Sequence, residues 1–265
     1  MLRPALIAWA ALGLGACQAP STDASDTLTV LSYNIHHGEG TDGVFDLERL
    51  AQIIREADPD LVALQEVDAK TQRAGGVNQA AELARLTGME VLFGEAIPYS
   101  GGSYGDAVLS RLPIEAELIW KLPAEPQHEE RVAVGILVRL PSGERIRFLG
   151  THLDHTRDPS DRVRQAQSIL EQAFPAGKKV PPTLLLGDLN AEPGSQPMKV
   201  LLERFHSAAP DGIPSYPSDQ PTKAIDWVLY TPADCWEVLE VHTIHEPVAS
   251  DHAPLRAVLR YKPPR

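Results

Sequence analysis

The stretch Thr183-Leu184-Leu185-Leu186-Gly187-Asp188-Leu189-Asn190 is a short apolar run that ends in an acid and an amide. Such a run is typical of a buried strand, and Gly and Pro interrupt the sequence directly after it. Asp188 and Asn190 are two residues apart, so on an extended chain both side chains lie on one face. An unpaired carboxylate at the end of a buried strand costs several kcal/mol. We therefore predict that Asp188 and Asn190 hold a polar ligand.

Four other predicted strands end in polar groups of the same kind. They are the segments Ser32-Tyr33-Asn34, Gln65-Glu66-Val67, Ile225-Asp226-Trp227 and Ser250-Asp251-His252. Polar residues at the ends of several apolar strands indicate a site assembled from distant parts of the chain.

Helical periodicity and turn residues divide the rest of the chain into elements. Helices are predicted over residues 46–57, 78–86, 161–174 and 197–205. Strands are predicted over residues 28–35, 61–67, 107–110, 132–138, 146–150, 184–187, 224–230, 236–242 and 254–260. Neighbouring strands often follow each other without a helix, which argues against a doubly wound parallel sheet. The pattern predicts an α/β (α+β) domain of two packed, mostly antiparallel sheets with helices outside.

The N-terminus reads as an export signal. Residues 1–16 combine a positive start with an apolar stretch too short to span a bilayer. Leu14-Gly15-Ala16-Cys17 then resembles the lipobox of bacterial lipoproteins, in which the Cys is acylated. The prediction is a signal peptide at 1–16, a flexible tether at 17–27 and a catalytic domain at 28–265. The alternative is an ordinary secretory signal that leaves Cys17 unmodified.

Composition limits the partners. The formal net charge is −12 and no Lys/Arg-rich run stands out, which makes a protein that grips duplex nucleic acid less favoured. If Cys17 carries lipid, Cys235 has no intramolecular partner and is predicted to be a packed thiol.

Six short motifs, taken in order along the chain, resemble the motif series of the endonuclease/exonuclease/phosphatase superfamily. They are Leu31-Ser32-Tyr33-Asn34-Ile35, Ala63-Leu64-Gln65-Glu66-Val67, Thr151-His152-Leu153, Gly187-Asp188-Leu189-Asn190, Ala224-Ile225-Asp226-Trp227 and Ser250-Asp251-His252. Each motif alone occurs by chance, but six in the right order are specific. The resemblance covers the chain from about Leu28 onward. It implies a deoxyribonuclease-I-like fold, a four-layer α/β/β/α sandwich, and metal-dependent hydrolysis of a phosphoester.

A metal site follows from the residues and the resemblance together. Glu66, Asn34 and Asp251 offer hard oxygen ligands, which suit Mg²⁺, with Mn²⁺ or Ca²⁺ as alternatives. A metal there would polarise a phosphoryl oxygen during in-line attack.

The remaining motif residues take catalytic roles by the same resemblance. Asp226 is expected to orient His252, and His152 to donate a hydrogen bond to the phosphoryl group. We assign Asp188 to the attacking water and His252 to the phosphoryl oxygens, although which of the two is the formal base stays open. Asn190 is expected to hold a phosphoryl oxygen or the same water.

Substrate contacts are predicted at three further positions. Arg162 opens a predicted helix and is expected to clamp a phosphate, the alternative being a surface ion pair. Tyr104 belongs to a stretch resembling the family's Tyr-Gly-Asn motif, with Asp106 in place of the usual Asn. His37, with His36 beside it, follows Asn34 and is expected to face the metal or the substrate, or else solvent.

The predicted function is Mg²⁺-dependent hydrolysis of a small phosphodiester or phosphomonoester, or of a phospholipid head group. The predicted place is the bacterial cell envelope, extracytoplasmic and lipid-anchored, on the outer membrane in a Gram-negative cell because Gln18 follows Cys17. A monomer is expected. The alternatives are an extracytoplasmic deoxyribonuclease and a catalytically inactive binding lipoprotein.

Overall fold

The structure is a computed structural model, and it describes residues 26–263. The predicted signal peptide at 1–16, Cys17 and nearly all of the tether at 17–27 lie outside these residues. Within the part described, no helix is both long and apolar enough to cross a membrane.

Twelve strands and four α-helices form the described part of the chain. The strands are β1 Thr27–Asn34, β2 Leu61–Ala69, β3 Glu90–Tyr99, β4 Gly102–Ser110, β5 Ile114–Leu122, β6 Arg131–Arg139, β7 Arg145–His152, β8 Thr183–Asp188, β9 His206–Ser207, β10 Asp226–Thr231, β11 Trp236–Thr243 and β12 Leu255–Tyr261. The helices are α1 Leu47–Ala57, α2 Gln79–Thr87, α3 Ser160–Ala173 and α4 Gln196–Leu201. One-turn 3₁₀ helices occur at His36–Gly38 and Ala233–Cys235.

Local sequence explains where helix α1 begins and ends. The side chain of Asp46 accepts a hydrogen bond from the backbone N–H of Arg49, which satisfies a free donor of the first turn. Asp58 ends the helix in the left-handed conformation, and Pro59 follows it. Leu50 and Ile54 share the buried face. The predicted helix at 46–57 is confirmed.

The strands form two six-stranded sheets. Their orders are β11-β12-β1-β2-β4-β3 and β5-β6-β7-β8-β10-β9. All neighbours are antiparallel except β1/β2 in the first sheet and β7/β8 in the second. Helix α1 connects the first parallel pair and α3 connects the second, as parallel neighbours require. The predicted mostly antiparallel sheets are confirmed.

Three apolar clusters separate four layers. The first lies between the sheets and includes Phe148, Leu184, Leu186 and Val228. The second joins the first sheet to α1 and α2, and includes Tyr33, Leu50, Ile54, Leu64 and Leu83. The third joins the second sheet to α3 and α4, and includes Leu185, Ile169, Met198 and Trp227. Successive side chains of β8 alternate between two clusters, which explains why that strand is apolar throughout. The four-layer sandwich is confirmed.

Two long strands and one short one were not predicted. Strands β3 and β5 lie at sheet edges. Strand β5 alternates apolar and polar residues, Ile-Glu-Ala-Glu-Leu, and its burial alternates with it. That period of two is the signal for a half-buried strand. The short strand β9 pairs only with β10.

The helix predicted at 197–205 was too long. The helix ends at Leu201. The backbone N–H groups that follow include donors to the carbonyl three residues earlier, such as Glu203 to Val200. Such i→i+3 bonds are common in the last turn of a helix.

Candidate active site

The candidate site lies where the two parallel strand pairs end. Asn34 ends β1 and Glu66 lies near the end of β2, while His152 ends β7 and Asp188 ends β8. Ligands bind at this edge in open α/β sheets, beyond the carboxyl ends of parallel strands. Asn34 links the two sheets, since its Nδ2 donates to Glu66 Oε1 at 3.1 Å and to Asp188 Oδ2 at 3.2 Å.

Asp188 lies at the centre of the site, in contact with other predicted site residues. Its Oδ1 accepts a hydrogen bond from the Asn190 backbone N–H at 2.9 Å. Its Oδ2 lies 3.4 Å from His152 Nε2 and 3.5 Å from His252 Nε2. Burial raises the pKa of Asp188, against the opposing attraction of His252. Asp188 therefore has the environment of a proton acceptor.

His252 is oriented by a carboxylate, as predicted. Its Nδ1 lies 2.8 Å from Asp226 Oδ2. Burial alone would lower the pKa of His252, but the Asp226 and Asp188 carboxylates outweigh it and raise the value to about 10. Ser215 Oγ also donates to Asp226 Oδ2 at 2.5 Å, and the Tyr216 ring lies 4.9 Å from the His252 ring. The pairing leaves His252 Nε2 directed at Asp188.

His152 is held by Arg131, which the sequence analysis did not identify. Arg131 is 3% exposed, and its Nη1 lies 3.0 Å from His152 Nδ1. A guanidinium only donates, so Nδ1 accepts and the ring proton lies on Nε2, toward Asp188. Burial and then the Arg131 charge hold the pKa of His152 well below its usual range. Asn190 Nδ2, which donates to the Leu153 carbonyl at 3.0 Å, also lies 3.0 Å from the same Nε2, so these two donors face each other without a hydrogen bond. His152 is thus a neutral donor, as its predicted role requires.

Glu66 projects into the cavity from an irregular point of β2. Pairing with β4 shifts between Leu64 and Val67, and Glu66 has a φ of +59°. Burial would raise its pKa, but His37, His152 and Asn34 together hold the pKa well below the usual range. His37 Nδ1 lies 3.9 Å from Glu66 Oε2. Glu66 is therefore an ionised carboxylate.

The donor set fits a hard divalent cation. Glu66, Asp188 and Asp251 all line one cavity. Carboxylates that line one cavity repel each other unless a cation lies among them, and carboxylate oxygens suit Mg²⁺, Mn²⁺ or Ca²⁺. The ligand atoms that lie within 4.8 Å of one another at this site belong to Asp188, Asp226 and His252.

The amide of Asn34 is held by hydrogen bonds at both of its ends, and its expected role as an oxygen ligand stays a prediction. Its Oδ1 accepts the backbone N–H of His36 at 3.1 Å, so the amide nitrogen faces the carboxylates of Glu66 and Asp188. Here Asn34 orients the acids. Ser250 Oγ donates to the Asn34 carbonyl at 2.7 Å, which brings Asp251 to the same strand end.

The predicted substrate contacts have different surroundings. Tyr104 and Arg162 line the cavity. Arg162 Nη1 donates to the carbonyls of Asp154 and Thr156 at 2.9 and 2.5 Å, so it also supports the loop between them. His37 faces Glu66, with the Phe45 ring 5.8 Å away.

Asp106 lies behind the cavity rather than in it. It is 3% exposed, and burial raises its pKa to about 8. The acid that replaces the usual Asn therefore contributes little charge to the substrate surface.

Two stacked sheets, with acids and histidines gathered at the ends of their parallel strands, define a hydrolase of the deoxyribonuclease-I-like fold. The chain belongs to the Endonuclease/Exonuclease/phosphatase family, whose model matches residues 31–252. That match confirms the resemblance drawn from the six motifs. Members of this family generally use divalent metals, in agreement with the carboxylate set.

Similar proteins span nearly the whole chain. An uncharacterized protein of Escherichia coli (strain K12), YbhP, is 27% identical over 255 residues, which cover 90% of this chain and 98% of the relative. A family structure from Beutenbergia cavernae is 24% identical with a TM-score of 0.71, covering 89% of this chain and 72% of that one. A mannosyl-6-phosphatase from Bacteroides thetaiotaomicron is 17% identical with a TM-score of 0.71, covering 88% and 99%. The structural likenesses establish the fold.

Proposed function

We propose that this protein is a divalent-metal-dependent phosphoesterase that hydrolyses a small phosphodiester or phosphomonoester outside the cytoplasm. One observation carries the proposal: His152 Nε2 and His252 Nε2 both lie within 3.5 Å of Asp188 Oδ2. The acids Glu66 and Asp251 line the same cavity. A water-activating acid between two imidazole donors suits attack on a phosphoryl group.

Each side chain has a defined task in this reaction. Asp188 accepts the proton of the attacking water, and Asn190 holds the water or a phosphoryl oxygen. His152 and His252, whose Nε2 atoms lie beside Asp188, donate hydrogen bonds to the phosphoryl oxygens as negative charge develops on them. Glu66 and Asp251 would hold the metal, which supplies charge neutralisation at the phosphoryl group.

The cavity favours a small substrate. Its volume is about 840 Å³, within the usual range of roughly 300–1,000 Å³ for small-molecule sites. The net charge of −12 opposes a long polyanion. The fold shared with a mannosyl-6-phosphatase supports a phosphomonoester as one candidate.

The position of the cavity bears on the predicted lipid anchor. Asp26 Oδ1 accepts a hydrogen bond from Ser142 N, in the turn that joins β6 to β7, and both β1 and β7 end at the cavity. The start of β1 thus lies roughly 26 Å from the site. A lipid on Cys17 would attach the domain at the end opposite the cavity. This arrangement favours an ester dissolved in the aqueous space over a lipid of the same leaflet.

A substrate panel tests the proposal. Purified protein is assayed with p-nitrophenyl phosphate, bis-p-nitrophenyl phosphate, sugar phosphates, phospholipid vesicles and plasmid DNA, each with Mg²⁺, Mn²⁺, Ca²⁺ or EDTA. We expect small esters to be hydrolysed with metal, and Asp188→Ala to lose at least about 100-fold in rate. Rapid cutting of plasmid DNA without turnover of small esters would instead support the nuclease alternative. Equal activity of Asp188→Ala and the native protein would refute the assigned site.

A further inference from the structure

The cavity extends beyond the catalytic residues along the loop between β7 and α3. His155, Thr156 and Arg157 of this loop line it, and Arg131 lies beneath them. We call these four residues the basic arm. In the reaction proposed above, Arg131 acts only by holding His152, and His155, Thr156 and Arg157 have no role. The basic arm is therefore a part of the cavity that the proposed reaction does not explain.

Internal hydrogen bonds make the loop of the basic arm rigid. The Asp154 carboxylate accepts from both the backbone N–H and the hydroxyl of Thr156. The Asp154 backbone N–H donates to Gln165 Oε1 at 2.9 Å, and Arg162 binds two carbonyls of the loop. Because these contacts leave the loop few alternative conformations, little ordering is needed when a ligand binds.

Arg131 prepares His155 as a hydrogen-bond donor. Its two Nη atoms form a fork, one 3.0 Å from His152 Nδ1 and the other 3.0 Å from His155 Nδ1. Because guanidinium has no acceptor, both imidazoles accept at Nδ1 and carry their proton on Nε2. His152 presents that proton to the reaction centre. His155 is exposed on the cavity wall, so its Nε2 proton is available as a donor to a ligand in the basic arm.

Arg157 adds an available positive charge. Its side chain is exposed on the cavity wall and forms no ion pair with an acid among residues 26–263. Most other arginines of the domain are paired, including Arg164 with Glu125 and Arg139 with Glu115. The cavity that contains this unpaired guanidinium is also lined by acids, including the exposed Glu192, in a chain of net charge −12. Glu129, at the edge of the arm, is held by Arg131 at 3.0 Å.

We propose that the basic arm is a second anion subsite, in which His155 and Arg157 bind a second phosphate or carboxylate group of the substrate. The substrate class is then a small phosphoester with two anionic groups, one at Asp188 and the other at the arm. This inference rests on the proposed function and narrows its substrate. The charge-assisted hydrogen bonds available there would strengthen binding by about 10-fold or more.

Competitive inhibition with matched ligand pairs tests the subsite. Fructose 1,6-bisphosphate is compared with fructose 6-phosphate, and 3-phosphoglycerate with glycerol 3-phosphate, as inhibitors of the artificial ester that the protein hydrolyses best. We expect the doubly anionic member of at least one pair to bind about 10-fold more tightly. The first pair reports a phosphate and the second a carboxylate as the added group.

Two variants test whether the basic arm causes the tighter binding of the doubly anionic inhibitors. Arg157→Gln and His155→Gln should bring the ratio of inhibition constants toward one, leaving the constant for the singly anionic ligand within about twofold. Arg85→Gln is the matched control, because Arg85 pairs with Glu82 on the exposed face of α2 and lies outside the cavity. An unchanged ratio in both variants, or an equal weakening of both ligands, would overturn the subsite. Failure of Asp188→Ala to reduce hydrolysis would instead overturn the proposed function.

Discussion

Gly187→Ala should impair catalysis by forcing strand β8 away from strand β7. Gly187 lies between Leu186, in the core between the sheets, and Asp188 at the centre of the site. Its φ is +152°, and a Cβ placed on it would overlap the carbonyl oxygen of Thr151 and lie 2.9 Å from the carbonyl carbon. Carbon atoms pack at about 3.5–4.0 Å, so strand β8 has to move away from β7 by roughly 0.6 Å at least, and by about 1 Å to clear the oxygen.

That displacement acts directly on the reaction geometry. His152 ends β7 and is paired in register with Asp188, so opening the strands lengthens the distance from Asp188 Oδ2 to His152 Nε2, now 3.4 Å. Misplacement of a reacting group by about 1 Å costs on the order of 100-fold in rate. We therefore expect kcat for the best artificial ester to fall by about that factor, with a smaller change in KM.

The assay pairs steady-state kinetics with thermal melting followed by circular dichroism. Gly143→Ala is the control, because Gly143 also has a positive φ but lies in the β6–β7 turn at the far end of the sheet, with open space around it. It should lose up to about 1 kcal/mol of stability without loss of kcat. A folded Gly187→Ala protein whose kcat stays within threefold of the native value would refute this account of the strand pair.

Three further predictions concern orientation, packing and pH. Asp226→Asn removes the charge that orients His252 at 2.8 Å, and kcat should fall by about 100-fold or more; the melting temperature should fall as well, because the buried His252 loses its main ionic partner. An unaltered kcat would contradict the pairing. Leu186→Ala opens a cavity in the core between the sheets and should cost about 2–5 kcal/mol in urea unfolding, whereas Leu239→Ala, at a position 42% exposed, should cost much less. Asp161 accepts hydrogen bonds from His128, Arg164 and the Glu125 N–H, which hold its pKa below the usual value although burial opposes them. Its contribution is present above about pH 4 and is lost as pH falls further, so melting temperatures between pH 7 and pH 2.5 should fall more steeply for the native protein than for Asp161→Asn. If the melting temperatures of the two proteins fell in parallel with pH, Asp161 would not make this contribution to stability.

The strand ends were predictable because their chemistry contradicts their surroundings. Asp188 and Glu66 follow apolar runs where burial makes a carboxylate costly, so the residue types alone indicate a site. The helices were predictable for a similar local reason, as the cap at Asp46 and the buried face of α1 show. These signals depend on neighbours along the chain, which a sequence displays directly.

The features that escaped prediction depend on partners far away in the chain. Arg131 opens an apolar strand, and nothing near it in sequence indicates that its fork holds two histidines more than twenty residues later. The Asn34 amide nitrogen likewise donates to Glu66 and Asp188, which are 32 and 154 residues away in the chain. Strand β5 was missed for a different reason, since its alternating pattern was present but was not assigned.

The topology explains why the six motifs stand in the order they do. Each sheet contains one β-α-β unit, built from β1, α1 and β2 in the first sheet and from β7, α3 and β8 in the second. Parallel strands place their carboxyl ends at the same edge, so each unit contributes two site residues from two strands. Asp226 and His252 enter from segments next to these units, since β10 pairs with β8 and β12 pairs with β1. A charge at Asp188 is thereby surrounded by groups from both halves of the chain, and the site forms only when the two sheets pack together. Catalysis and the core between the sheets are therefore coupled, because Asn34 and Asp188, which are hydrogen-bonded at 3.2 Å, come from different sheets that this core holds together.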